Sequence, residues 1–170
     1  FAPQAVHPGK DSGHCVWDWL PDAWMAEPKY FDKDHWHETE VFQNAHVKEE
    51  YDWVTGELDR LLSQHGYERN GLFYRAVAPN EDTIVLFCHF GVECVLLSHL
   101  LNISPMQLWH GTCAAPSSVT VLYTEERRSG VASFRMSSFG DVSHLYAGGR
   151  EPSFAARFCE VYTRFDQRHD

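Results

Sequence analysis

The stretch that decides the fold is residues 83–101, which read Thr-Ile-Val-Leu-Phe-Cys-His-Phe-Gly-Val-Glu-Cys-Val-Leu-Leu-Ser-His-Leu-Leu. Its first six residues are β-branched, aromatic or otherwise apolar without alternation, which is typical of a strand buried on both faces. After His89-Phe90-Gly91 the apolar residues recur at helical spacing on both sides. The stretch therefore predicts a central strand, a sharp turn and a helix that is buried nearly all round.

The turn between that strand and that helix is a candidate ligand site. The carboxyl end of a central strand borders the crevice in which open α/β sheets bind ligands. Gly91 allows the backbone to approach a ligand, and the helix start presents N–H groups and a positive dipole end. An imidazole can donate to a phosphoryl oxygen or exchange a proton near neutral pH. These residues predict an anion site at His89; the alternative is a buried histidine that bonds to backbone.

Residues 83–101 resemble the second conserved block of the histidine phosphatase superfamily, in its phosphoglycerate-mutase-like branch. In that block a strand ends in His-Gly or a close variant, and a helix follows. The resemblance covers about residues 44–165, and His89-Phe90-Gly91 is its specific motif. Phe90 departs from the commoner small residue, which indicates a tighter or more apolar pocket rim. The implied fold is α/β, a three-layer sandwich with a mixed, mainly parallel sheet that here lacks its first strand.

The resemblance also implies an activity, the hydrolysis of a phosphomonoester through a phosphohistidine intermediate, without a cofactor or a metal. His89 matches the family's second histidine, a catalytic residue that stabilises the phosphoryl group in the transition state. The backbone N–H groups of Phe90 and Gly91 would bind phosphate beside it. The implied partner is a phosphorylated small molecule.

One departure from the family pattern is large, because the chain contains no Arg-His-Gly, the motif that holds the family's nucleophile. The nearest strings are Gln64-His65-Gly66 and Trp109-His110-Gly111, both at predicted helix ends. The nucleophile and both arginines would then lie upstream of Phe1. We therefore expect an inactive C-terminal fragment of such a phosphatase. The alternative is a non-catalytic remnant of the same fold that binds a phospho-ligand or acts as a scaffold.

The rest of the chain is predicted to complete a single domain, residues 1–170. Residues 1–45 hold four of the six tryptophans and are predicted to be an aromatic-rich lid or insertion of short helices and loops, while residues 46–170 supply the α/β core portion. Further patterns predict a helix from Val47 to Leu62, with Asn44 as its cap and Gly66 as its stop. A turn at Asn70-Gly71 is predicted to lead into an edge strand at 72–76, and a short helix is predicted from Pro105 to Gly111. The later patterns predict strands at 118–124 and 131–137 around a loop at 125–130, and a closing helix at 153–165.

Composition excludes several classes of protein. The net charge of −10 without a basic stripe makes nucleic acid and anionic membranes poor partners. Five widely spaced cysteines without a Cys-x-x-Cys pair indicate reduced thiols and a cytoplasmic location. Residues 83–103 are long enough to span a bilayer, but Glu93 and two histidines favour two buried soluble elements. An unpaired sheet edge at 118–137 would allow a homodimer.

Rival sites are weaker. One rival is a metal site built from histidines of the first 46 residues, His7, His14, His35, His37 and His46. The alternative is that these histidines lie on the surface and bind no metal. Cys88 adjoins His89, but neighbours on a strand point to opposite faces, which disfavours a nucleophile–base pair. Glu93 is either a pocket acid or a carboxylate that caps the helix start.

Overall fold

The computed structural model describes residues 1, 2, 4, 5, 15–153 and 163. The α-helices of this part are α1 (Pro21–Trp24), α2 (Glu40–Asn44), α3 (Val47–Gln64), α4 (Phe90–Leu101), α5 (Pro105–Gly111) and α6 (Ser143–Ala147). Its strands are β1 (Tyr67–Asn70), β2 (Phe73–Ala76), β3 (Val119–Arg128) and β4 (Val131–Asp141), and a 3₁₀ turn covers Pro28–Phe31.

The strands form one small antiparallel sheet in the order β1-β2-β4-β3. Tyr67 lies opposite Ala76 in the first pair, and Tyr74 lies opposite Ala132 in the second. The predicted three-layer sandwich with a mainly parallel sheet is therefore wrong, although the chain does combine helices with a sheet. The physical reason is connection length. Short turns join β1 to β2 and β3 to β4, and such turns can link only antiparallel neighbours, since parallel strands need a long crossover.

The predicted central strand at residues 83–88 is also wrong. These residues have irregular backbone and pair with no strand of the described sheet. Val85, Leu86 and Phe87 are 67%, 49% and 97% exposed, whereas Ile84 packs against the hydrophobic core beside the sheet. Apolar side chains alone do not make a buried strand, because its N–H and C=O groups also need ladder partners on neighbouring strands.

Helix α3 confirms the predicted amphipathic helix. Val47, Leu58 and Leu62 are buried on one side, as the helical spacing of its apolar residues requires. The helix begins after His46 and not at Asn44, which instead ends the separate helix α2. Gly66, the predicted stop of this helix, has left-handed backbone (φ 84°) and lies against the Ala78 carbonyl, with which a Cβ would collide.

The helix predicted after Gly91 and the short helix before Gly111 are both confirmed, as α4 and α5. The buried residues of α4 include Cys94, Val95 and Leu97, on more than one side of the helix. The Ser104 hydroxyl accepts a hydrogen bond from the Met106 N–H at 3.3 Å, which caps the start of α5.

The aromatic residues of the first 45 positions pack into a core with α3 and α5. Trp36 is buried and meets the rings of Tyr51 and Trp109 edge-on, with centroids 5.1 and 5.9 Å apart. Phe42 stacks on Trp19 at 5.4 Å. The predicted short helices and loops are present as α1, the 3₁₀ turn and α2, which bury Trp24, Tyr30 and Phe42 and leave Phe31 exposed.

The chain divides into two compact units, Phe1–Gly111 with Thr124–Phe134, and Thr112–Tyr123 with Arg135–Asp170. Within the first, α3 and the sheet share a core that includes Leu58, Tyr74 and Ala132. Within the second, the Gly140 N–H donates to the Thr120 hydroxyl at 3.1 Å.

The two predicted later strands are confirmed as parts of β3 and β4. Both are longer than predicted, and β3 takes up most of the predicted loop. The closing helix predicted at 153–165 lies outside the described residues, apart from Ser153 and Thr163. Within the residues that the structure describes, every helix is too short or too polar to cross a lipid bilayer.

Candidate functional site

The first candidate site is the start of α4, where the sequence placed its anion site. His89 is the N-cap residue, with extended backbone (φ −94°, ψ 156°), an exposed side chain and no capping hydrogen bond from its imidazole. The helical bonds begin with the Glu93 N–H, which donates to the His89 carbonyl at 2.9 Å. The N–H groups of Gly91 and Val92 therefore precede the first helical bond and have no acceptor within the helix. His89 and these amides lie together at the positive end of the helix dipole.

The backbone at Gly91 is held by two tryptophans. A Cβ at this position would lie 3.0 Å from ring carbons of Trp17, which is tighter than ordinary van der Waals contact. The Trp109 indole N–H donates to the Gly91 carbonyl at 3.0 Å. A larger residue at this position would therefore have to displace the Trp17 ring by a few tenths of an ångström.

Cys88 does not have the character of a nucleophile. Partial burial and the nearby Glu93 carboxylate raise the pKa of its thiol above the ordinary value. A reactive cysteine needs the opposite shift, because the thiolate is the attacking species. Glu93 lies in the first turn of α4, as predicted.

At the other end of α4, a carboxylate orients a histidine. The Asp59 carboxylate accepts hydrogen bonds from the Tyr74 hydroxyl at 2.7 Å and from His99 Nε2 at 3.0 Å. Since an ionised carboxylate only accepts, His99 Nε2 carries the hydrogen. Burial raises the pKa of Asp59, but the hydrogen bonds from His99 and Tyr74 and the nearby Arg69 guanidinium together lower it more, so the net pKa lies below the ordinary value. Burial, with the Asp59 carboxylate, also raises the pKa of Tyr74.

Arg69 joins this end of α4 to the β1–β2 turn. Its Nε–H donates to the Gly71 carbonyl at 2.6 Å, Nη1 donates to the His99 carbonyl at 3.2 Å, and Nη2 donates to Asn102 Oδ1 at 2.8 Å. Asn102 has left-handed backbone and donates in turn to the Leu72 carbonyl at 2.9 Å. A cation at a helix C-terminus is favourable, because the last carbonyls have no helical partner.

A cleft of about 200 Å³ lies beside this network, in the first unit. Its lining comes from the loop before α2, from α3, from the β1–β2 region and from the end of α4: Lys33, Asp34, Trp36, His37, Lys48, Tyr51, Asp52, Arg69, Leu72, Ser98, His99, Asn102 and Ile103. The Ser98 hydroxyl donates to the Val95 carbonyl at 2.8 Å, so the Tyr51 hydroxyl is the donor in the 3.1 Å bond between Tyr51 and Ser98.

The structure keeps the two sites apart. His89 and His99 are ten residues apart on one straight element, which corresponds to about 15 Å of helix. Sequence reasoning placed His89, Phe90 and Gly91 together, and they do adjoin at the start of α4. It missed Asp59, Arg69 and His99, because no local pattern links residues so far apart in the chain.

The predicted histidine cluster is dispersed among the described residues. His35 pairs with Asp32 at 3.0 Å, and that hydrogen bond raises the pKa of His35. His37 lines the cleft, where burial lowers its pKa. His7 and His14 lie outside the described residues. In the described part of the chain, no three histidine, cysteine or carboxylate side chains are grouped to hold a metal ion.

Comparison with known proteins adds no relative: no family model, no curated protein and no solved structure matches this chain.

Proposed function

We propose that this chain takes part in phosphomonoester hydrolysis of the histidine phosphatase type, and that the start of α4 binds the phosphoryl group. One observation carries the proposal. His89 presents an exposed imidazole at the N-cap of a helix of 12 residues, beside amides that have no helical acceptor.

The chemistry of these groups suits a phosphoryl anion. Backbone N–H groups at a helix start and the positive dipole end favour negative charge. The His89 imidazole adds a side-chain N–H donor. Charge develops on the phosphoryl oxygens during transfer, so donors that are already in position lower the barrier without reorganisation. His89 would then be a catalytic residue, while Phe90 and Gly91 supply backbone to the phosphate site.

Non-catalytic binding of a phospho-ligand is the second candidate function. It is favoured by the absence of Arg-His-Gly from the sequence and by the raised pKa of the neighbouring Cys88 thiol. Residues 1–170 by themselves are therefore expected to bind a phosphoryl anion and to show no turnover of p-nitrophenyl phosphate above background. We place the protein in the reducing cytoplasm, a proposal supported by free thiols at Cys15, Cys88, Cys94 and Cys113.

Calorimetric titration with inorganic phosphate and with vanadate tests the proposal. His89→Ala should weaken both affinities by about 10- to 100-fold, because hydrogen bonds to charged groups contribute about 1.5–3 kcal/mol. His35→Ala is the matched control, since His35 is also exposed and lies outside the site. Equal affinities of the wild type and a folded His89→Ala variant would overturn the assignment.

Turnover separates the two candidate functions. Hydrolysis of p-nitrophenyl phosphate by the 170-residue chain that depends on His89 would exclude non-catalytic binding. Phosphate binding without hydrolysis would support that second function for this chain.

A further inference from the structure

Of the described lysine and arginine side chains that line the cleft at the end of α4, Arg69 is the one without a carboxylate in direct contact. Lys33 bonds to Asp34, and Lys48 bonds to Asp52, each at 2.5 Å. Among the residues that the structure describes, Arg69 has no ion-paired carboxylate, since its acceptors are two backbone carbonyls and one side-chain amide. The Asp59 carboxylate interacts with the charge of Arg69 without touching it, so the half-buried guanidinium is open to a second anion in direct contact.

Arg69 also retains donors. A guanidinium carries five N–H groups, and three of them make these hydrogen bonds. The other two lie on Nη1 and Nη2, and the guanidinium also interacts with the Tyr74 hydroxyl, where it counters the rise in the pKa of that group. Two guanidinium N–H groups can engage the two oxygens of one carboxylate. The guanidinium stands 5.0 Å from the centre of the Tyr74 ring, and this contact together with its three hydrogen bonds restricts its motion. Little conformational entropy is therefore lost when an anion binds.

We propose that this cleft binds a small organic monocarboxylate, with the carboxylate on Arg69. A carboxylate carries one negative charge, whereas a phosphomonoester carries about −1.5 to −2 and would be repelled more strongly by the carboxylates near Arg69, which include Asp52 and Asp59. Trp36 and Ile103 offer apolar lining for the body of the ligand. The volume of about 200 Å³ is below the usual range for drug-sized ligands, so the ligand is small.

This site differs from the proposed phosphoryl site in place and in charge preference. The two lie at opposite ends of α4, with His89 at the start and His99 in the last turn. A carboxylate probe and a phosphate probe should therefore report on different residues.

Titration with benzoate, followed by NMR of the tryptophan indoles and by calorimetry, tests the proposal. Benzoate should bind and shift the Trp36 signal. Arg69→Gln should weaken binding by at least tenfold, as expected for the loss of charge-assisted hydrogen bonds. Arg75→Gln is the control, because Arg75 lies in β2, pairs with Glu68 and does not line the cleft.

A second variant keeps the test valid if the loss of the hydrogen bonds of Arg69 unfolds the chain. Leu72 lines the cleft and is 57% exposed, so Leu72→Glu would give Arg69 a carboxylate partner without emptying the core. This variant should lose benzoate binding, and His89→Ala should retain it. Absence of benzoate binding by the wild type, or undiminished binding by folded Leu72→Glu, would overturn the proposal. Loss of phosphate binding at His89 would leave the proposal of a carboxylate site at Arg69 intact.

Discussion

Replacing Asp59 by alanine should destabilise the chain far more than the same change at Asp52, although both residues lie on α3. Asp59 is the acceptor for two side chains, the Tyr74 hydroxyl and His99 Nε2–H. Asp52 makes an ion pair with Lys48 on the surface of the same helix, with its side chain 55% exposed. The pair of variants separates a network that joins helices α3 and α4 to the sheet from an ordinary surface contact.

The magnitude follows from what each change leaves without a partner. Tyr74 is 1% exposed and the His99 side chain 15%, so water replaces the lost acceptor poorly at both. A buried donor without an acceptor costs about 1–3 kcal/mol, so Asp59→Ala should lower the free energy of unfolding by about 2–5 kcal/mol. Asp52→Ala should cost about 0.3–0.5 kcal/mol, the usual value of an i,i+4 ion pair. The helix propensity gained from alanine is the same in both variants and cancels.

Urea unfolding followed by tryptophan fluorescence measures both variants on the same scale, with the far-ultraviolet circular dichroism as a check on helix content. The free energies of unfolding of the two variants should differ by at least about 1.5 kcal/mol, the gap between the smallest cost expected at Asp59 and the cost of the ion pair at Asp52. Variants that unfold at the same urea concentration would show that the bonds to Asp59 contribute nothing beyond a surface pair, and the account of the α3–α4–β2 network would fail.

Three further predictions concern acid stability, association and one turn. The folded-state pKa of Asp59 is lowered, so the stability that its carboxylate adds is complete above the unfolded pKa of about 3.9 and is lost as the pH falls through the folded pKa. Urea unfolding midpoints measured from pH 6 to pH 2 should therefore fall less steeply for Asp59→Asn than for the wild type. Phe87→Ser should reduce self-association in sedimentation velocity, because the ring is 97% exposed in an apolar segment without strand partners, and unchanged association would show that another surface is responsible. Gly66→Ala should lower the free energy of unfolding in urea by more than Gly71→Ala, for which about 1 kcal/mol is expected. Both glycines have positive φ, but only at Gly66 would the added Cβ collide with a neighbour, the Ala78 carbonyl. Equal losses of stability would contradict this close approach.

Local patterns predicted α3, α4 and α5 well, whereas the short helix α6 was not predicted. The apolar spacing of α3 and the proline at the start of α5 act over one or two turns, so the sequence carries them without knowledge of the neighbours. The Asn70-Gly71 turn and the later hairpin are local for the same reason. The start of α4 at His89, and with it the first candidate site, also follows from local sequence.

Pairing between distant segments was not predictable in this way. Residues 83–88 have the composition of a buried strand, but a strand exists only where other strands supply its hydrogen bonds, and apolar composition does not name those partners. Strand β1 was missed because its sequence, Tyr-Glu-Arg-Asn, is polar, and it forms through its ladder with β2. The Asp59–His99 pair joins residues 40 positions apart, and only the packing of α3 against α4 brings them together.

The most direct test of the central claim is an amide-resolved titration of the ¹⁵N-labelled chain with inorganic phosphate. The claim predicts that the Gly91 and Val92 N–H signals move with increasing phosphate, saturate, and report one affinity that His89→Ala weakens by about 10- to 100-fold. Signals at the start of α4 that stay unmoved while phosphate shifts residues elsewhere, or that move equally in His89→Ala, would contradict a phosphoryl site at this helix.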